Sequence, residues 1–347
     1  MSLPDVQSEV ALAPLTTLEL GGAARHFVRA ESEARVHAAL SWAADRQLPV
    51  RVLGGGSNLV VRDEGVEGLV IAMGVRGLRW HDDGRVTAGA GEPWDAFVAA
   101  SIERGLAGLE CLSGIPGQVG ATPIQNVGAY GQEVAQTIEH VRVVERSTGA
   151  IRTLGPAELA FGYRDSALKR APERAVVLDV TFRLAPGGGP QVVYAELAAA
   201  LRDPRPSLRD VREAVLALRR KKSMVLDPAD PNRRSAGSFF TNPIVDAAHA
   251  DEVVRRALAL GVVADAAQVP RWAEGARVKL AAGWLIERAG IARGLRRGAV
   301  GVSTAHALAL VHHGGGRTAE LLALADEVRD AVLGAFGVAL EREPVLW

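Results

Sequence analysis

Apolar residues Val36, Ala39, Leu40, Ala43 and Ala44 recur at helical spacing within residues 31–48, and Pro49 stops the run. A short apolar strand from Val50 to Leu53 leads straight into Gly54-Gly55-Gly56-Ser57-Asn58. Further strands are expected at 59–61 and 69–73, separated by Gly and Asp turns. Between about 85 and 184 the pattern is mixed: one helix begins near Pro93, and β-rich segments fall at 141–145 and 176–184. The last of these alternates, as expected of a strand half exposed on a sheet face. A Gly/Pro loop at 186–190 and a linker, Asp203-Pro204-Arg205-Pro206, punctuate the chain. After the linker, Leu208, Val211, Val215 and Leu218 form one helical stripe, and the main domain boundary is expected near residue 200. The remainder is alanine-rich and helical around a few strands. It ends in a helix carrying Leu321, Leu324, Val328 and Val332, then an extended piece over 338–347. No internal repeat is visible.

Composition narrows the function classes. The chain has 347 residues, enough for two or three domains. Forty basic and forty acidic residues cancel, so no overall field draws it to nucleic acid or an anionic membrane. The single cysteine, Cys111, excludes an intramolecular disulfide framework and a cysteine zinc cluster. No run of ~18 apolar residues reads as a membrane span, and no signal peptide is recognisable. A cytoplasmic protein is expected. Only four lysines occur (Lys169, Lys221, Lys222, Lys279) among many arginines, and only three tyrosines (Tyr130, Tyr163, Tyr194).

Two glycine-rich segments suggest a cofactor cradle. The backbone N–H groups of Gly54–Asn58 can wrap a pyrophosphate. The segment fails the dinucleotide fingerprint, because Leu59 stands at the third glycine position and a strand follows. A plain turn is the alternative. Residues 114–131 hold five glycines and two prolines with Thr122, Gln125 and Asn126, too polar for a core strand. Side chains are absent where a backbone must approach a ring or phosphate closely. A structural Gly/Pro connection is the other reading.

The reactive candidates lie far apart in sequence. Arg164, between Tyr163 and Asp165, offers a fork that matches a carboxylate, or makes an ordinary surface pair. Ser238 sits before Phe239 and Phe240, where two aromatics suggest a water-poor wall, or a Gly-Ser turn enters a strand. Glu343 precedes Pro344. Lys221 and Lys222 end a helix, as charges at its negative end or as a phosphate contact. His306, His312 and His313 lack a metal-binding spacing, so no metal is expected.

Together the segments Leu18–Arg25, 53–59, 123–131, 163–166, 236–243 and 279–286 resemble the UDP-N-acetylenolpyruvoylglucosamine reductase (UDP-N-acetylmuramate dehydrogenase) family, flavoenzymes of peptidoglycan synthesis. The resemblance extends over nearly the whole chain. It implies an α+β protein with an FAD-binding fold of the vanillyl-alcohol-oxidase type over residues 1–200, in two α/β subdomains of about 1–78 and 79–200. A C-terminal α/β substrate-binding domain over 201–330 and a segment over 331–347 returning a glutamate to the active site follow. It implies that Leu53, Gly54, Gly55, Gly56, Ser57, Asn58, Ala121, Thr122, Gln125, Asn126 and Gly128 bind FAD. Arg164, Ser238 and Glu343 match the family's catalytic residues. Tyr163, Tyr194, Lys222 and Asn242 match substrate contacts, Tyr194 on the covering loop of the larger subtype. The implied reaction uses NADPH, passes hydride from flavin N5 to C3 of the enolpyruvyl group, and takes a proton from Ser238 to C2. Arg164 and Glu343, as the protonated acid, stabilise the charge between. A nucleotide-sugar substrate and a monomer in cell-wall synthesis are expected, with consequences for cell shape and division. Another FAD-dependent oxidoreductase of the same fold, or a non-catalytic nucleotide-sugar binder, are the alternatives.

Overall fold

The computed structural model describes residues 5–347. The chain forms two compact units, and neither is one continuous stretch of sequence. The first comprises the described residues up to Ala11, with Ala23–Gly56 and Val66–Leu226; the second comprises Leu12–Gly22, Ser57–Gly65 and Asp227–Trp347.

The first unit is built on two larger sheets, of four and five strands. Gln7–Ala11, Ala23–Ala30, Val66–Met73 and Val50–Leu53 lie in that order, the first pair antiparallel and the others parallel. The helix Glu33–Ala44 crosses between parallel strands; Ser32 caps it by accepting a bond from the Arg35 N–H. The second sheet is antiparallel, in the order Ile151–Leu154, Ile138–Glu145, Ala175–Arg183, Arg85–Gly89, Leu78–Trp80. Ala175–Arg183 is therefore central, and it is buried from Val176 through Phe182 rather than half exposed. Its polar residues are paired within the sheet: Thr181 bonds Thr87 at 2.8 Å, and Asp179 pairs with Arg142 of the neighbouring strand. Trp94 and Phe97, on the helix Trp94–Glu103, pack against Phe182 with ring centres 5.9 and 5.1 Å away.

The helix Leu208–Lys221 belongs to this unit, so the division falls after Leu226 and not near residue 200. Two interactions hold it there. Val211, Val215 and Leu218 pack with Cys111 and Leu197, each burial stabilising by roughly 1.5–3 kcal/mol. Arg212 also forks onto Asp95 at 2.6 and 2.9 Å, and Asp95 accepts the Gly114 N–H at 2.6 Å. Burial raises the Asp95 pKa, but these partners outweigh it and hold the carboxyl below its ordinary value. The pair's stabilisation is thus complete above the unfolded carboxylate range, about pH 4, and is lost as pH falls through the lower folded value. Asp95→Ala is expected to cost about 1–2 kcal/mol in denaturant unfolding at neutral pH, the charged-bond value discounted for partial exposure. An unchanged unfolding midpoint would show that the helix docks by its apolar stripe alone.

In the second unit, Ile244–Val245, Arg277–Leu280 and Arg271–Glu274 form one small antiparallel sheet, and Arg296–Arg297, Val300–Val302 and Leu310–His312 another. Helices Ala247–Ala259, Ala282–Arg288 and Thr318–Phe336 supply much of its core, with Phe239, Phe240 and Phe336 fully buried. Residues 12–22 and 57–65 join this unit for plain physical reasons. Leu18, Leu20 and Val60 enter its core, the Thr17 hydroxyl donates to the Ser235 carbonyl at 2.6 Å, and Asp63 accepts the Thr318 N–H at 2.8 Å. Continuous domains over 1–200 and 201–330 therefore do not describe the molecule. Among the described residues, no helix is long and apolar enough to cross a membrane.

Candidate active site

In the first unit, Leu53 ends its strand buried, and the chain turns through Gly54–Gly56 beside the 117–121 segment. A Cβ on Gly55 would lie 2.8 Å from the Gly117 Cα, and one on Gly54 would lie 3.4 Å from Gln118 Oε1. The two backbones are thus as close as glycine permits. Gln118 Oε1 and Gln125 Oε1 are buried without a hydrogen-bond partner. Buried amide oxygens rarely stay unpaired, so a cradle of backbone N–H groups flanked by two waiting acceptors suits a ligand carrying both phosphate and N–H or hydroxyl groups.

The other expected cofactor residues are used differently. Thr122 is buried and its hydroxyl donates to the Val119 carbonyl at 2.8 Å. Asn126, at a φ of +44°, donates to Glu133 and to the Gly162 carbonyl, both at 2.8 Å, and accepts the Ala135 N–H at 3.2 Å. Its amide is committed inside the protein, leaving its backbone for a ligand. Ser57 and Asn58 lie in the second unit.

Asn126 matters because of what it holds. Gly162 and Asp165 exchange two backbone hydrogen bonds, making a tight turn with Tyr163 and Arg164 at its centre. Arg164 has a φ of +52°, a left-handed conformation that favours glycine. Its Nη2 donates to the Gly128 carbonyl at 2.6 Å, and Lys169 Nζ donates to the Arg164 carbonyl at 2.7 Å. The turn and the 126–128 segment are thereby one assembly, which brings Gly128, Tyr163 and Arg164 together.

A second cluster in this unit joins Tyr130, Tyr194, Glu196 and Lys222. The Tyr130 and Tyr194 rings meet edge to face at 5.6 Å, and Lys222 Nζ sits 6.0 Å from the Tyr130 ring. Lys222 also pairs with Glu196 at 2.7 Å, which separates it from the exposed Lys221. Burial pushes the Tyr130 phenol up to about 12, against the opposing charge of Arg219, so it stays neutral near pH 7. The segment leading to Tyr194 is anchored from below: buried Glu110 accepts the Gln191 N–H at 3.1 Å and the Gln132 amide at 2.7 Å. Beyond that anchor Val193 is 73% and Tyr194 47% exposed, as suits a segment that covers a ligand.

In the second unit, residues 239–241 run antiparallel to 341–343. The Glu343 N–H donates to the Phe239 carbonyl at 3.0 Å, the Thr241 N–H to Glu341 at 3.0 Å, and Phe240 bridges Arg342. Ser238 and Glu343 therefore lie on adjacent stretches. Val345–Leu346 pairs in parallel with Leu59–Val60, and Asn58 Nδ2 donates to the Glu343 carbonyl at 3.5 Å, fixing the glutamate's segment from its other side. Phe239 and Phe240 are buried in the core, so they anchor the serine's segment and do not wall it. Among the described residues, no hydrogen bond engages the Ser238 hydroxyl, which is half-buried after Gly237. Asn242 accepts the Ala282 N–H at 3.0 Å and so ties 236–243 to the helix Ala282–Arg288. His312 is buried between the Leu18 carbonyl and the Gly316 N–H. No group of three or more His, Cys, Asp or Glu that could hold a metal occurs among the described residues.

Sequence reasoning missed Gln118, Lys169, Glu196 and the internal role of Asn126. Gln118 lay inside the glycine-rich segment, and Lys169 is one of only four lysines, five residues beyond Arg164; neither signal carries a role without the fold.

Residues 24–155 match the FAD binding domain family, and residues 228–347 match the UDP-N-acetylenolpyruvoylglucosamine reductase, C-terminal domain, family. The chain is 51% identical to the UDP-N-acetylenolpyruvoylglucosamine reductase of Saccharopolyspora erythraea, covering 97% of this chain and 94% of that one. It is 49% identical to the reductase of Thermobifida fusca, covering 97% and 96%. The crystal structure of the UDP-N-acetylenolpyruvylglucosamine reductase of Thermus caldophilus superimposes with a TM-score of 0.70 at 28% identity, covering 99% of this chain and all of that one. The fold is thus α+β, an FAD-binding domain with the reductase C-terminal domain. By both family models and by near-half identity over almost its full length, the chain belongs to the UDP-N-acetylenolpyruvoylglucosamine reductase family.

Proposed function

We propose that this protein reduces the enolpyruvyl group of UDP-N-acetylglucosamine enolpyruvate to UDP-N-acetylmuramate with NADPH, in the cytoplasm, as a step of peptidoglycan precursor synthesis that serves cell shape and division. The observation that carries the reading is the near-half identity to reductases across 97% of the chain. The paired segments of Ser238 and Glu343, and the turn that holds Arg164, support it.

The first unit's residues fit FAD. Gly54–Gly56 with 117–121 supply the close backbone approach, and the unpaired oxygens of Gln118 and Gln125 supply acceptors. When bound, FAD relays a hydride from NADPH to C3 of the enolpyruvyl group. The protein's own groups do the rest. The Arg164 guanidinium pairs with the substrate carboxylate and stabilises the charge that spreads onto it as C3 gains its hydrogen. Glu343, protonated, adds a hydrogen bond to the same oxygens. Ser238 Oγ delivers a proton to C2. Lys222 meets the nucleotide's diphosphate once Glu196 yields it, Tyr194 covers the sugar nucleotide and excludes water, and Tyr163 and Asn242 line the substrate.

The test is NADPH consumption by the purified protein with and without the enolpyruvyl nucleotide sugar, with the product identified by mass. Oxidation that depends on the sugar and yields UDP-N-acetylmuramate is expected; sugar-independent oxygen consumption would point instead to an oxidase.

A substitution tests the cradle separately. In Gly55→Val, the new Cβ meets Gly117 backbone that cannot swing aside. Overpacking of this kind costs about 1–3 kcal/mol, so FAD affinity is expected to fall about 10- to 100-fold by fluorescence titration. Unaltered affinity would move the cofactor away from this loop.

A further inference from the structure

We infer that Lys169 is a positioning residue for Arg164; the inference rests on the role given to Arg164 above. Arg164 holds a backbone conformation that a side-chain-bearing residue avoids, so something must keep it there. The two bonds between Gly162 and Asp165 close the turn but leave the Arg164 carbonyl outside that pair. Lys169 Nζ donates to that carbonyl at 2.7 Å, a charge-assisted bond to the peptide that carries the arginine.

The lysine is itself rigidly mounted. It sits on the short helix Ala167–Arg170, whose Leu168 is buried in the core. Ser166 Oγ accepts the Lys169 N–H at 3.2 Å while donating to the Ile124 carbonyl at 2.9 Å. Arg170 pairs with Asp165 on the other side of the turn. An ammonium on a fixed stem thus sets one end of Arg164, and the Gly128 carbonyl at 2.6 Å sets the other. If the lysine contact is lost, the left-handed peptide is free to relax and the guanidinium is carried off its line.

In the flavin-loaded protein, Lys169→Met is expected to slow reoxidation by the enolpyruvyl nucleotide sugar about 10- to 100-fold, the scale of an ångström-sized misplacement. Reduction by NADPH should stay within about twofold, which also reports that the variant is folded and loaded. Amide hydrogen exchange across residues 162–166 should quicken about tenfold, a readout independent of turnover. Lys169→Arg, which can still donate to the carbonyl, should recover most of the rate. In an Arg164→Ala background, Lys169→Met should add less than about twofold, because its effect passes through the arginine.

Equal slowing of both half-reactions, unchanged exchange, or a full Lys169→Met loss persisting without Arg164 overturns the inference. Should Lys169→Met fail to retain flavin, Lys169→Ala removes the same donor while favouring the short helix, and a loss below about threefold in its reoxidation overturns the inference as well. If Arg164→Ala itself spares reoxidation, the role of Arg164 fails, while the exchange result still decides whether Lys169 holds the turn.

Discussion

Ser238→Ala is expected to leave flavin content and reduction by NADPH intact while slowing reoxidation by the enolpyruvyl nucleotide sugar about 10²- to 10⁴-fold, the usual contribution of a positioned proton donor. The structure makes this a clean substitution. The serine's segment is held by backbone bonds, Phe239 to Leu308 at 2.7 Å and Glu343 to Phe239 at 3.0 Å, and by two buried rings. None of these involves the hydroxyl. Stability should therefore hardly change, and the loss should fall on the step that needs a proton at C2. Rapid-reaction absorbance of each half-reaction checks it; equal loss in both would reject Ser238 as the donor.

Arg164→Ala is expected to lower the same half-reaction by about 10²- to 10³-fold or more, the scale on which a pre-positioned donor to developing charge acts. An arginine is costly to seat here, at a φ of +52° in a turn whose geometry favours glycine. Alanine relieves none of that backbone strain, yet removes the fork proposed to pair with the substrate carboxylate, a contact that would strengthen as charge reaches it. The effect should therefore appear in the rate of reoxidation at saturating substrate as well as in affinity. A loss of tenfold or less would reassign Arg164 to holding the Gly128 segment.

Much of this was legible in the sequence where local pattern and tertiary role coincide. Glu33–Ala44 and Leu208–Lys221 follow their apolar stripes, and the strand expected after the triple glycine is present at Leu59–Val60. The strand Ala175–Arg183 was legible as a strand but not as a central one. Asp179 and Thr181 suggest an exposed face until Arg142 and Thr87 are seen to satisfy them from neighbouring strands. The interleaving of the two units was not legible, because residues 12–22 and 57–65 join the second unit through partners more than 150 residues away, such as Ser235 and Thr318. The same limit hid the neighbours of the candidate residues. Local sequence presents Asn126 as a ligand contact and does not reveal that its amide also holds the turn that carries Arg164.

On the proposed function, one flavin on this chain takes hydride from NADPH and gives it up only to the enolpyruvyl nucleotide sugar. The most direct test follows the visible flavin absorbance of the purified protein under anaerobic conditions, first with NADPH and then with the sugar. Bleaching by NADPH alone, followed by recovery of colour with one UDP-N-acetylmuramate formed per flavin, is the predicted result. A reduced protein that stays bleached with the sugar and regains colour only with oxygen would contradict it.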